Sequence, residues 1–329
     1  MGWQAFQEKS RLGVTMEAQG NIRTESIPWM LNIALTLSAI SVSLFLLWFA
    51  SHTRWWGWAL VAAVVFSYTN NTTFSLLHES VHGIFHPNRT INEWFGRLNA
   101  AFFPTALTFQ RIFHLGHHRR NRTDAELFDY YSPHDNRFLK YVQWYGILTA
   151  VYWVVSPVAC LLYLLCPWVL HLPLFRGDHS KIAQQTGADA MLSGFENAPG
   201  LHIRSEILFS ILVQAAMVYL LDLTLFGWLL CYGAFALNWS SLQYADHAWS
   251  VRNVYDGAWN LKVNKAVQYV FLNYHHHRAH HQNPQVSWIH LSRYVDFSED
   301  RPSFLKMYLR MWLGPRPYPG QVLDEAKQP

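Results

Sequence analysis

Three cysteines in 329 residues are too few for a disulfide framework or for a four-thiolate iron–sulfur cluster. Cys160, Cys166 and Cys231 all lie in apolar segments, where a thiol serves as a small hydrophobe. There is no CxxCH for haem attachment and no glycine-rich flavin or dinucleotide fingerprint. Any redox chemistry must therefore draw its electrons from outside the chain. Charge is also scarce, at 14% of residues, and no Gly/Ser linker or internal repeat divides the sequence. These absences favour one domain over residues 1–329.

Charge is missing most completely from long runs. Residues 27–50 carry none, and at about 1.5 Å per residue they span a hydrocarbon core of roughly 30 Å. Residues 55–77 form a second uncharged stretch, and 145–175 and 207–242 are strongly apolar, the last broken only by Asp222. The mean hydropathy is near zero because polar, His- and Arg-rich loops offset these runs. The expected fold is all-α, a polytopic membrane protein with about four transmembrane helices. Residues 1–26 form a polar N-terminal segment without a cleavable signal, and Phe6 stands where a myristoylation motif wants Ser or Thr. Residues 293–329 form a C-terminal surface segment whose amphipathic helix lies near 302–312. Residues 90–113 read as an interfacial helix. Residues 145–175, with Pro157 near the centre, read as re-entrant or surface-lying, and 176–205 as a loop.

Of 25 Lys and Arg, three precede the first span, eight lie between the first histidine group and Lys140, and ten follow His247. Only Arg54 sits in the turn between the first two spans. The positive-inside rule then puts the N-terminus and the histidines on the cytoplasmic face of an integral, multi-pass protein.

Twelve of the eighteen histidines fall into four groups: His78-Glu-Ser-Val-His82 with His86; His114-Leu-Gly-His117-His118; His247; and His275-His276-His277-Arg-Ala-His280-His281. Residues at i, i+3 and i+4 share a helix face, so each HxxxH or HxxHH presents converging nitrogens. Imidazole beside a bilayer is expensive unless something binds it, and a transition metal is the usual partner. The ligands are twice what one tetrahedral zinc needs, and suit two metals. Neutral nitrogen ligands with an open position favour iron. His78-Glu79-Ser-Val-His82 also matches HExxH, the signature of a zinc metalloprotease with Glu79 as base, but that site has no use for two further HxxHH clusters.

In order and spacing these residues resemble the three histidine boxes of the membrane-bound fatty acid desaturase and hydroxylase superfamily, non-haem di-iron enzymes. The resemblance runs from about Thr69 to Trp288. The third box sits in Asn273-Tyr274-His275-His276-His277-Arg-Ala-His280-His281-Gln-Asn-Pro284, aligned backwards from Pro284 because two extra residues follow Asn-Tyr. It implies a cytoplasmic metal-binding cap with His78, His82, His114, His117, His118, His277, His280 and His281 as ligands, and His247 as the lone ligand after the last hairpin. Glu79, His86, Asp124, Asp246, His275 and His276 are candidates for the shell around those ligands. Glu126 and Asp129 share with Asp124 the alternative of a solvated acidic patch.

The resemblance also implies two irons (Fe2+/Fe3+), O2 as co-substrate and a long apolar acyl-lipid substrate within the membrane lipids. The reaction is desaturation, with hydroxylation or ketolation of a lipid, carotenoid or other apolar substrate as the alternative. An external donor of ferredoxin or cytochrome type would dock on basic residues such as Arg119, Arg120 and Arg122. No nucleic-acid partner is expected.

Overall fold

The computed structural model describes residues 25–175 and 180–319, the His171 side chain excepted. The N-terminal segment to residue 24, with the signal and myristoylation readings, lies outside the described residues, as do His179 and the tail from 320.

Helix α1 (Trp29–His52) turns through Thr53 into α2 (Trp56–His82), a continuous helix that carries the whole first box. The expected interfacial helix at 90–113 is instead two: α3 (Arg89–Phe102), capped by Asn88, and α4 (Leu107–Arg120), which carries the second box. The break follows from Pro104, which lacks the N–H needed to continue a helix. The two-residue strand β1 (Tyr130–Tyr131) follows, then α5 (Arg137–Leu148) and α6 (Val151–Leu165). These two meet at 91°, so the segment is a broken span or re-entrant element. The bend lies at Thr149–Ala150, while Pro157 sits inside α6.

Residues 176–205 are more helical than a plain loop, with α7 (Lys181–Thr186), α8 (Ala188–Ser193) and the start of α9 (Gly200–Leu220). Asp222 makes the expected turn, at φ 46°, into α10 (Leu225–Leu242). Short helices α11 (Lys265–Val270) and α12 (His277–Gln282) precede the amphipathic α13 (Phe304–Met311) and the strand β2 (Arg316–Pro317). β2 pairs in parallel with β1, Tyr130 opposite Arg316, and ties the C-terminal segment to the loop after the second box.

Three helices, α1, α9 and α10, are long and apolar enough to cross a bilayer, or four with the bent α5–α6 pair. Helix α2 is long enough, but Asn70, Asn71 and their neighbours dilute its hydropathy. Those polar groups face protein: Asn70 donates to the Phe102 carbonyl, Thr72 to Val270 and Ser75 to Phe271. Outward, the helices show Leu37, Phe45, Val61, Val64, Leu212 and Leu229. Lipid tails are as apolar as leucine, so burial from water does not drive this packing; close contact and inward polar bonds do. The inner contact is Leu47, Phe66, Leu77, Phe103, Tyr232 and Phe235.

Helix α10 begins hard against the end of α1. A Cβ on Gly227 would lie 2.4 Å from Ser51 Oγ and 2.9 Å from the Ser51 backbone nitrogen. We expect Gly227→Ala to destabilise the protein by about 1–3 kcal/mol of overpacking strain, read as a lower melting temperature in detergent. Gly233→Ala, in the same helix with nothing within 4 Å of the new Cβ, should leave it unchanged.

Candidate metal centre

The boxes arrive on four separate elements. Helix α2 delivers His78 and His82 on its last turn, then stops because Gly83 adopts the left-handed conformation (φ 76°) and returns its N–H to Ser80. Arg111 of α4 donates to the Ser80 and Val81 carbonyls at that helix end, and its guanidinium also holds Glu93. The first and second boxes are thereby bolted together. His114, His117 and His118 follow on α4, one turn further on. His247 lies in the turns after α10, and His277, His280 and His281 occupy α12.

These side chains sort into two groups. His78, His82, His114 and His280 form one, and His117, His247, His277 and His281 the other; within each, the candidate ligand atoms all lie within 4.8 Å of one another. His118 is in neither set yet touches the first, its Nε2 3.0 Å from Nε2 of both His114 and His280, and its ring 4.4 Å from that of His281. It stands between the groups. His82 and His114 bring their Nε2 atoms to 2.8 Å, and His117 and His247 theirs to 3.2 Å.

Those spacings fit a metal. With metal–nitrogen bonds of about 2.1 Å, tetrahedral ligands sit about 3.4 Å apart and octahedral neighbours about 3.0 Å. The closest contacts, 2.8 and 3.2 Å, are of the order that two ligands on one metal show. Burial also suits the role. It drives His114, His118, His247, His277, His280 and His281 well below the usual imidazole range, so each is the neutral species a metal requires.

The surrounding shell departs in part from expectation. Glu126 holds His117 through Oε2, 2.6 Å from Nδ1, while its other oxygen takes Arg120. That leaves His117 Nε2 towards the second group and fixes its tautomer. His247 does the same with the Gly257 carbonyl, 2.9 Å from its Nδ1. Asp246 is buried between the second-group rings, 3.6 Å from His277 Nδ1 and 3.8 Å from His247 Nε2, and burial pushes its carboxyl well up.

Asp124 does not reach the site. It is exposed and pairs with Arg252, because the 3-10 turn Asp124–Glu126 points Glu126 inward in its place. His86 accepts from the Asn88 N–H and packs edge-on against Trp29, away from both groups. His275 and His276 are buried against each other outside them. Glu79 accepts from Ser287 Oγ at 2.6 Å and from the Trp288 N–H, so it anchors the 287–288 segment and touches no histidine nitrogen by hydrogen bond.

Arg122, which reads from sequence as part of a docking surface, is buried. Its guanidinium holds Asp129, the Tyr244 hydroxyl and the Ser250 carbonyl. Tyr244 sits three residues before His247, so this network locks the loop after the second box to the loop bearing His247. Nothing in the spacing of Arg122 or Arg111 distinguishes them from surface arginines; only long-range contact reveals their work.

The sequence model of the fatty acid desaturase family matches residues 53–315, well over half of the chain and all of the histidine boxes. No curated protein matches.

Two outcomes are expected. Glu126→Gln should weaken metal binding about 10- to 100-fold, with loss confined to one of the two metal equivalents by elemental analysis. For the metal-free protein, the six buried imidazoles have folded pKa values below the unfolded value of about 6.5. Above that pH both states are neutral. As pH falls below it the unfolded chain takes up protons the folded one refuses, so the melting temperature should be level above pH 7 and fall steadily towards pH 5.

Proposed function

The chain belongs to the fatty acid desaturase family, and we propose that within it the protein is an O2-dependent di-iron enzyme that introduces a C=C bond into the acyl chain of a membrane lipid. The observation that carries this reading is the pair of four-histidine groups, with His118 between them and no carboxylate in either set. As a family member with several candidate spans, the chain is an integral membrane protein.

Two ferrous ions, when bound, supply the reduction of O2 to an oxidant able to take hydrogen from an unactivated methylene. The chain's own residues hold, orient and shield. Neutral imidazoles present their nitrogens without needing to lose a proton, and Glu126 and the Gly257 carbonyl fix two of the rings. A cavity of about 10 Å3, room for roughly one water-sized molecule, touches His78 and His280 of the first group and His277 of the second. Its other walls are the apolar or aromatic Leu272, Tyr274, Trp288 and Leu291 and the polar Ser75 and Glu79.

Electrons come from a separate donor of ferredoxin or cytochrome type, since the chain has no motif for an electron-carrying cofactor. The positive-inside distribution favours a metal centre on the cytoplasmic face, within reach of such a donor. The HExxH peptidase reading needs one zinc and a Glu79 free to activate water, whereas Glu79 is engaged by Ser287 and Trp288.

Lipid mass spectrometry on a host expressing the chain, against a His280→Ala control, tests the proposal. Lipids lighter by two hydrogens, absent from the control, are expected together with two irons per chain. A gain of one oxygen would replace desaturase by hydroxylase at the same site. One zinc per chain, with activity abolished by Glu79→Gln, would overturn the di-iron reading.

A further inference from the structure

Two helices near the His247 turn carry large apolar side chains on their outer sides. On α13, successive residues turn by about 100°, and the side chains sort onto three sides. Met307 and Met311 are buried, in the cluster that holds Tyr244, Ala245 and Ala248 around His247. Leu305, Leu309 and, just past the helix end, Trp312 and Leu313 are exposed, Leu313 by 79%. Lys306 and Arg310 are exposed beside that apolar stripe. On α5, Phe138, 78% exposed, and Val142 stand one turn apart on the outside. Trp144 and Tyr145 turn from the same helix to α13 and donate to the Met311 and Trp312 carbonyls. The two outer sides therefore form one surface.

Three observations bear on what meets this surface. Its charge is of one sign. Neither helix contains Asp or Glu, and Arg137, Lys306 and Arg310 are exposed. Lys262, also exposed, joins them, because backbone bonds to Pro302 and from Phe304 hold it at the start of α13. The acids ahead of α13 stay in the 296–300 loop, where Arg278 takes Glu299. The apolar stripe is also continuous with a membrane helix: Leu305 shares the rim of a cavity with Tyr68, which extends the outward row Val61, Val64 and Val65 of α2. Finally, α6 is apolar along its outer side, at Val151, Val155, Val158 and Leu165, and α5 meets it at 91°. With α6 running into the apolar layer, α5 lies along the membrane plane. An apolar stripe flanked by cations, on a helix so placed, suits the boundary between head groups and acyl chains.

We propose that α5 and α13 form one docking face for the anionic phospholipid surface of the bilayer, on the leaflet beside the histidine groups. Leu305, Leu309, Leu313, Phe138 and Val142 enter the head-group boundary, and Arg137, Lys262, Lys306 and Arg310 meet the lipid phosphates. Each Lys or Arg near an anionic membrane strengthens such a contact about fivefold, and salt screens the effect. Zwitterionic lipid offers the same apolar boundary without the net charge, so the face tells the two apart. It takes bilayer lipid and not substrate. The proposal uses nothing of the desaturase reading and stands if that reading fails.

The test uses full-length protein in nanodiscs of mixed phosphatidylcholine and phosphatidylglycerol. In parallel samples one lipid or the other carries, in trace amount, a diazirine on its acyl chain next to the glycerol. After irradiation, labelled peptides are mapped by mass spectrometry. Label is expected at 305–313 and 138–142 from both lipids, and about fivefold or more from phosphatidylglycerol. Salt of about 1 M, where screening acts within about 3 Å, should remove the preference and leave the label. Lys262→Gln with Lys306→Gln, both at exposed positions, should bring the two lipids close to parity without lowering the melting temperature. Label absent from both helices would assign the face to water or to a protein partner and overturn the proposal. Equal labelling by the two lipids at low salt, or a double variant that keeps the wild-type preference, would overturn it as well.

Discussion

The structure depends on nine imidazole rings packed against one another, six of them buried and His114, His117 and His118 half-buried. Such packing is unfavourable on its own terms. His78 Nε2, His277 Nδ1 and both nitrogens of His281 lack hydrogen-bond partners, and each unpaired buried atom costs about 1–3 kcal/mol. Their sum is comparable with the whole net stability of a typical domain, about 5–15 kcal/mol. Metal coordination would replace the missing bonds, so under the proposed function a bound metal would contribute to the fold's energetics as well as to its chemistry.

The scaffold answers that demand with rigidity. The left-handed turn at Gly83 ends α2 one residue after His82, and Arg111 reaches from α4 to the Ser80 and Val81 carbonyls of that end. Arg122, Asp129 and Tyr244 form a buried ion pair and hydroxyl that couple the second box to His247. A buried pair of this kind adds little net stability over apolar packing, but removing one member strands a charge. Its value here lies in holding two loops at one distance, which ligand nitrogens about 3 Å apart require.

Within the apolar layer the logic is reversed. Burial gives no advantage between helices in lipid, so polar side chains turn inward and make the specific contacts. Asn32 takes the Phe85 carbonyl and the Trp288 indole, and the Asn70–Ser75 stretch of α2 binds α3 and the segment ahead of the third box. The polar run that makes α2 a poor membrane span by composition is therefore what docks the catalytic cap onto the membrane helices.

Local chemistry was readable without coordinates. Uncharged runs matched to bilayer thickness, histidines at helical spacing and the turn at Asp222 depend on neighbours a few residues away, and the sequence alone determined them. The break at Pro104, the bend at Thr149–Ala150 rather than at Pro157, and the helical content of 181–193 were less legible, because several local conformations satisfy the same residues. Tertiary structure alone decided the pairing. His280 joins His78, His82 and His114 while His281, its neighbour in the chain, joins His117, His247 and His277; Glu126 and not Asp124 supports a ligand; and Arg122 is a buried clamp and not a docking surface. Adjacent residues on a helix point about 100° apart, so which imidazole meets which partner is set by where four distant elements are packed, a long-range property that no spacing along the chain encodes.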